Sequence, residues 1–217
     1  MAYLGTMIRT GWVVFCALLI GCSAPEEAKK APPKKVEVAN STAPPVFTVK
    51  LDTTRGPVTV EIHRDWSPNG ADHFYNLVQT GYFDGVKIYR VTQRYAQFGV
   101  NGDPKVTGLW SMARIPDDPR KQSNRKGTLS YAQEGPGTRT TQLFFNLQDN
   151  VALDKDKFAP IGKVIEGMDA VDHFYSGYGD WPPRGNGPDP AKVQAEGNSY
   201  LEARFPRLDT IRKAIIQ

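Results

Sequence analysis

The chain predicts a mainly β domain carrying two short helices. Several runs alternate apolar and polar residues with period two, and clusters of Gly, Pro, Asp and Asn separate them. Two further stretches, starting near Ser67 and Met168, carry apolar residues at helical spacing instead. Phe47, Val49 and Leu51 alternate with Thr48 and Lys50, which predicts a strand over 46–52. The turn Thr53-Thr54-Arg55-Gly56-Pro57 leads into a return strand, VTVEIH, at 58–63. Ser67 is placed as N-cap with Pro68 at the first helical position. Ala71, Phe74, Leu77 and Val78 share one face of that helix, Gly81 ends it, and Asp72, His73 and Gln79 form its wet side.

The stretch FDGVKIYRVTQRYAQFGVNGDP, 83–104, reads as a strand pair around Arg90, closed by turns at Gly99, Gly102 and Asp103-Pro104. Residues 104–125 are polar and proline-bearing and predict a long loop pinned by Trp110, Met112 and Ile115. Strands at 128–132 and 142–147 bracket a loop at 133–141, and 162–164 is a further strand. Met168, Val171, Phe174 and Tyr175 give the second helix. Beyond a Gly/Pro-rich loop, Tyr200, Leu201, Phe205, Leu208 and Ile211 give helical spacing to 196–216. Residues 181–217 are therefore expected as a helical extension packed on a domain spanning 46–180.

At 217 residues, 40% hydrophobic and 11% aromatic, the chain holds one globular domain with additions. A net charge of +4 with no dense Lys/Arg stripe argues against nucleic acid as partner. Both cysteines, Cys16 and Cys22, precede the domain, so it has no disulfide and no thiolate metal site. His63, His73 and His173 lack ligand spacing and are expected at the surface or at helix ends. Neither metal nor cofactor is expected, and the protein is expected to be monomeric.

The first residues read as an address. WVVFCALLI, 12–20, follows Arg9 and is shorter than the ~20 apolar residues that span a bilayer, but fits a signal-peptide core. Leu19-Ile20-Gly21-Cys22 resembles the lipobox of bacterial lipoproteins. That resemblance implies a signal peptide at 1–21 and acylation of Cys22, with more than one acyl chain giving a stable membrane anchor. Residues 22–45, rich in Pro, Lys, Glu and Ala, read as a flexible tether. The expected location is the cell envelope, lipid-anchored on the periplasmic side, with Ser23 compatible with the outer membrane.

Arg90 lies among Val86, Ile88, Tyr89, Tyr95 and Phe98. A cation among apolar residues is costly unless an internal carboxylate or a ligand carbonyl partners it. Ordered blocks accompany it: Arg90-Val91, Tyr95 to Gln97, Gly102-Asp103, Leu129-Ser130-Tyr131-Ala132, Gly135-Pro136-Gly137-Thr138, Thr141-Gln142-Leu143-Phe144, Leu153-Asp154, and Ile161-Gly162-Lys163-Val164 through Met168. Over residues 46–180 this resembles the cyclophilin-type peptidyl-prolyl isomerases. The resemblance implies a closed eight-stranded antiparallel barrel capped by two helices, acting on X-Pro bonds of exported polypeptides.

It also implies Arg90 and Gln97 as the catalytic pair and Phe144 as the floor of a proline pocket. Leu153 would be a wall, Tyr95 and Phe158 further pocket residues, and Ala132, Gln133 and Gln142 the groove. This chain departs from the family's pattern in places. The Arg90–Gln97 spacing is one residue short, which leaves Phe98 as a rival for the Gln97 slot. Ala152 stands where some members carry Trp, and Arg139-Thr140 replaces a small pair. A barrel that binds proline segments, or serves as an envelope chaperone, with little or no turnover is the alternative reading.

Overall fold

The computed structural model describes Met1, Ala2 and residues 40–217. Cys22 and most of the expected signal peptide and tether lie outside the described residues.

The alternation over 46–52 forms β1 (Val46–Thr53), which pairs antiparallel with β2 (Gly56–His63) through the predicted turn. Phe47, Val49 and Leu51 turn inward against Val58, Val60 and Ile62. The helix begun at Pro68 is α1 (Pro68–Gln79). Next come β3 (Val86–Lys87), β4 (Arg90–Val91), β5 (Tyr95–Phe98), α2 (Pro104–Ser111), β6 (Thr128–Tyr131) and β7 (Leu143–Asn146). After a 3₁₀ turn at Val151–Asp154, the chain completes β8 (Pro160–Glu166), α3 (Met168–Asp172), α4 (Pro190–Glu196), α5 (Asn198–Arg204) and β9 (Thr210–Ile216).

The strands form one nine-stranded sheet in the order β3-β9-β1-β2-β8-β6-β7-β5-β4. Its two edges, β3 and β4, are separated in the chain by Ile88 and Tyr89 alone. The Ile88 amide donates to Asp209 near one edge, and the Tyr89 amide donates to Gln97 at the other. The sheet therefore curls until its edges meet along the backbone, but no ladder joins β3 to β4. This corrects the closed eight-stranded expectation: one extended run, 86–91, is split into two strands because it changes partner midway.

The tail is a second correction. Residues 196–216 are not one helix: α5 stops at Arg204, and β9 is inserted between β1 and β3. Ile211 lies opposite Thr53 and Ala214 opposite Leu51, so Arg212 and Lys213 together face the single residue Asp52. This bulge places two buried residues three apart in a strand, which imitates helical spacing. The last strand thus belongs to the barrel, and only α4 and α5 pack on it as an addition. They bury Val193 and Leu201, together with Leu208 from the segment that follows, against Tyr89 and Val100.

Residues 41–45, expected within the tether, make contacts with the domain. Ser41 and Asn76 exchange backbone–side-chain hydrogen bonds of 2.9 and 2.8 Å, and the Ala43 amide donates to Asp72 Oδ1 at 2.9 Å. Residues 41–45 are therefore pinned to α1. The segment 104–125 is no plain loop either, since its start is α2, capped by Asp103 accepting from the Lys105 amide. Trp110 is fully buried and Ile115 packs on the core, but Met112 is exposed to solvent.

The cap of α1 comes from elsewhere in the chain. Ser67 makes no side-chain cap; its Oγ donates to Asp118 Oδ2 at 2.5 Å. Asp118 accepts from the Asn69 and Gly70 amides, at 3.0 and 2.9 Å, and from Arg139 Nη2 at 3.0 Å. A carboxylate from a distant loop thus satisfies the open amides of the first turn and meets the positive end of the helix dipole. Burial opposes its charge, but those donors hold the Asp118 carboxyl below the usual range. His73 is a further correction: it is buried, edge-on to Trp110, and its Nε2 has no partner among the described residues. Burial first, and then the nearby Arg139 charge, lower its pKa to about 4, against 6.5 in water.

Two outcomes follow from these buried groups. Asp118→Ala strands Arg139 and uncaps α1, and is expected to lower the unfolding free energy by about 3–5 kcal/mol in urea titrations. For His73, the unfolded chain takes up a proton below pH 6.5 and the folded chain only below about 4. Stability is therefore full above 6.5 and falls through that window, with a slope approaching about 1.4 kcal/mol per pH unit. His73→Gln should flatten it, as urea midpoints between pH 4.5 and 7 would reveal.

Candidate active site

β4, β5 and β7 carry a cross-strand row. Arg90 is paired with Gln97, and Gln97 with Phe144. The next row, Val91, Ala96 and Phe145, belongs to the core, as the period-two alternation of a pleated sheet requires. The row with Arg90 opens into a cleft of about 420 Å³.

All nine residues expected to act on a substrate line this cleft: Arg90, Gln97, Tyr95, Ala132, Gln133, Gln142, Phe144, Leu153 and Phe158. The register also decides between Gln97 and Phe98. Gln97 faces the cleft, while Phe98 is fully buried and stacks on Phe145 at 5.3 Å. The shortened spacing is absorbed in a tight turn, in which the Thr92 amide donates to the Tyr95 carbonyl at 3.0 Å. Gly99 then lets β5 pass against 141–142: its φ is +104°, and a Cβ there would sit 2.2 Å from the Thr141 carbonyl oxygen.

One end of the cleft is aromatic. The Phe144 ring lies 5.7 Å from Tyr95 and 5.8 Å from Phe158, both centroid to centroid. Leu153 stands on the 3₁₀ turn, whose Asp154 accepts from Ser123 Oγ at 2.5 Å, the Asn124 amide at 2.9 Å and Asn124 Nδ2 at 2.8 Å. Gln133 Nε2 donates to the Asp156 carbonyl at 2.9 Å, joining the groove to the same loop. Ala132 is fixed by its amide donating to the Gln142 carbonyl at 2.9 Å.

The other end is a polar chain. Arg90 Nη1 donates to Gln97 Oε1 at 2.9 Å, and Gln97 Nε2 donates to Gln142 Oε1 at 3.0 Å. Gln142 Oε1 also accepts from the hydroxyl of Tyr89, whose pKa burial pushes up, so that it stays a donor. Gln97 thus spends both ends of its amide inside the protein and braces Arg90.

The sequence reading missed several walls of this cleft. Trp181 from the Gly/Pro-rich loop, Pro190 and Gln194 of α4, and Ser111 and Arg114 beside α2 all line it. Arg139, expected near the groove, is instead 2% exposed on the Asp118 network, and its neighbour Thr140 lines the cleft. Asp180 was missed as well. It accepts from Arg90 Nε at 2.8 Å and Nη2 at 3.1 Å. Burial raises the Asp180 pKa, but bonds from Arg90 and from the Trp181 amide outweigh it and hold the carboxyl below its usual range. The demand of a buried Arg for a carboxylate was the one available signal, and it could not say which of the acidic residues would answer.

Comparison with known proteins identifies the family of the chain. The family model for the cyclophilin type peptidyl-prolyl cis-trans isomerase/CLD matches residues 48–186. Peptidyl-prolyl cis-trans isomerase-like 1 of Rhizopus delemar is 35% identical over 129 residues, covering 57% of this chain and 76% of that protein. A peptidyl-prolyl cis-trans isomerase of Acinetobacter baylyi is 28% identical over 130 residues, covering 57% and 69%. Among solved structures, a cyclophilin type isomerase of Cryptosporidium parvum superposes with a TM-score of 0.57 at 20% identity, covering 79% of this chain and 98% of that one. The chain belongs to the cyclophilin-type peptidyl-prolyl cis-trans isomerases and is an enzyme of that class.

Proposed function

We propose that this isomerase acts on X-Pro bonds of envelope proteins, with Arg90 assisting rotation of the imide. Resonance makes that rotation cost ~18–20 kcal/mol. The reaction needs no nucleophile, only a site that binds the twisted imide better than either planar form. The proline ring would rest on Phe144, between Tyr95, Leu153 and Phe158. The free N–H groups of Arg90 would meet the imide nitrogen and the neighbouring carbonyl, while Gln142, Ala132 and Gln133 hold the residues before the proline.

The observation that carries this reading is the cross-strand row, which sets the guanidinium beside an aromatic floor in one cleft. A related Cryptosporidium parvum cyclophilin was solved in the presence of the dipeptide Ala-Pro, which fits a cleft that takes proline-bearing segments. Envelope location rests on the signal-like stretch and on Cys22, proposed as the acylated anchor. Because Arg90 is only 8% exposed, slow turnover with a proline-segment binding role is the second reading.

Losing one charge-assisted hydrogen bond costs ~1.5–3 kcal/mol, so Arg90→Ala is expected to lower kcat/KM on a short Ala-Pro peptide by about ten- to 150-fold. Equal rates for wild type and variant would favour the binding role. For the anchor, labelled fatty acid should enter the wild-type chain and not Cys22→Ser. An unlabelled wild type would sink it.

A further inference from the structure

The loop that follows α3 reaches back to the centre of the cleft. Asp180 grips one side of the Arg90 guanidinium through Nε and Nη2, at 2.8 and 3.1 Å. Trp181 lies over the guanidinium, its ring centroid 3.5 Å from the central carbon, and the Tyr95 centroid is 4.8 Å from that carbon. The Trp181 amide also donates to Asp180 Oδ1 at 2.8 Å, so the carboxylate is tied to the residue that stacks. With Gln97 on Nη1, three of the five guanidinium N–H bonds are taken. One remains on each terminal nitrogen.

This grip is built into the backbone. The Gly187 amide donates to the Asp180 carbonyl at 2.8 Å, and the Asn186 amide donates to the Tyr178 carbonyl at 3.1 Å. A Cβ on Gly185 would sit 2.2 Å from the Asp180 carbonyl oxygen, so this folding-back requires glycine there. Beyond the loop, α4 and α5 share a buried cluster with Tyr89, the residue before Arg90. The loop is therefore fastened on both sides of the side chain it holds.

We propose that Asp180 is a positioning residue for Arg90 and that Trp181 completes the clamp, with the remaining N–H on each terminal nitrogen left for the substrate. The inference rests on the reading that Arg90 assists rotation. A free arginine must lose rotamer freedom when it meets the twisted imide. Here that ordering is done before substrate arrives, which is preorganisation of the transition-state contact. Asp180 also pairs with Arg184, whose Nε lies 3.2 Å from Oδ2, so one carboxylate serves two cations and its part at Arg90 is to direct the hydrogen bonds.

The test measures kcat and KM separately on a short Ala-Pro peptide with the full chain. The variants are Asp180→Asn, Trp181→Leu, Arg90→Ala and the double variant Arg90→Ala/Asp180→Asn, with thermal unfolding as a folding control. Asp180→Asn is expected to lower kcat about tenfold while KM stays within about twofold, because the lost interaction belongs to the transition state. Trp181→Leu keeps the ion pair, removes the stack, and should lower kcat/KM several-fold by itself. In the Arg90→Ala background, Asp180→Asn should cost nothing more. Additive losses would mean that Asp180 acts on the loop and not through Arg90, and would overturn the clamp. A faster Asp180→Asn enzyme would overturn it too, since the loop would then be a plug. Full activity in Arg90→Ala would sink the arginine reading itself, whereas loss there with unchanged Asp180→Asn would sink the clamp alone.

Discussion

A guanidinium withdrawn from water must keep its N–H groups bonded, and Arg90 meets that demand with partners from two parts of the chain. Gln97 comes from the neighbouring strand, Asp180 from the loop after α3, and Tyr95 and Trp181 cover the charge. The consequences spread outward. Gln97 is committed to Gln142, Gln142 to Tyr89, and Tyr89 is buried against α4 and α5. The helices of the tail are thus part of the support of the cleft.

A second buried charge pair lies at the N-terminal end of α1. Asp118 and Arg139 are both nearly dry and pair with each other, and Asp118 also takes the Ser67 hydroxyl and two open amides of the helix. Arg139 Nε has no hydrogen-bond partner among the described residues. A loop of polar residues is fixed there by charge pairing where apolar contacts are few. His73 sits beside this network as a neutral ring whose Nε2 lacks a partner among the described residues.

The chemistry suits a rigid sheet. An imide that only has to be twisted needs no reactive group, so accuracy of placement is the main requirement. Arg90, Gln97 and Phe144 inherit their alignment from strand register. A slip of one residue in β5 would turn Gln97 into the core and bring Ala96 or Phe98 to the cleft. The unpaired edge strands β3 and β4 are joined by two residues, so the side chain that matters most lies beside the seam of the barrel.

Period-two alternation placed β1 and β2, because a half-buried strand writes its two faces directly into the order of residues. The ordered blocks around Arg90, Gln142 and Leu153 marked nine cleft residues, since each sits at a fixed point on a strand or turn. Local pattern failed where a distant residue made the decision. A bulge against Asp52 turned helical spacing at Ile211 and Ala214 into a strand. Asp118 took the cap assigned to Ser67, and packing against Trp110 buried a histidine read as wet. Which carboxylate would answer Arg90 was also undetermined, because a charge demands a partner without naming one. Alternation and turn chemistry are local and survive in the sequence; ion-pair partners, strand order and caps supplied from afar exist only once the chain has closed on itself.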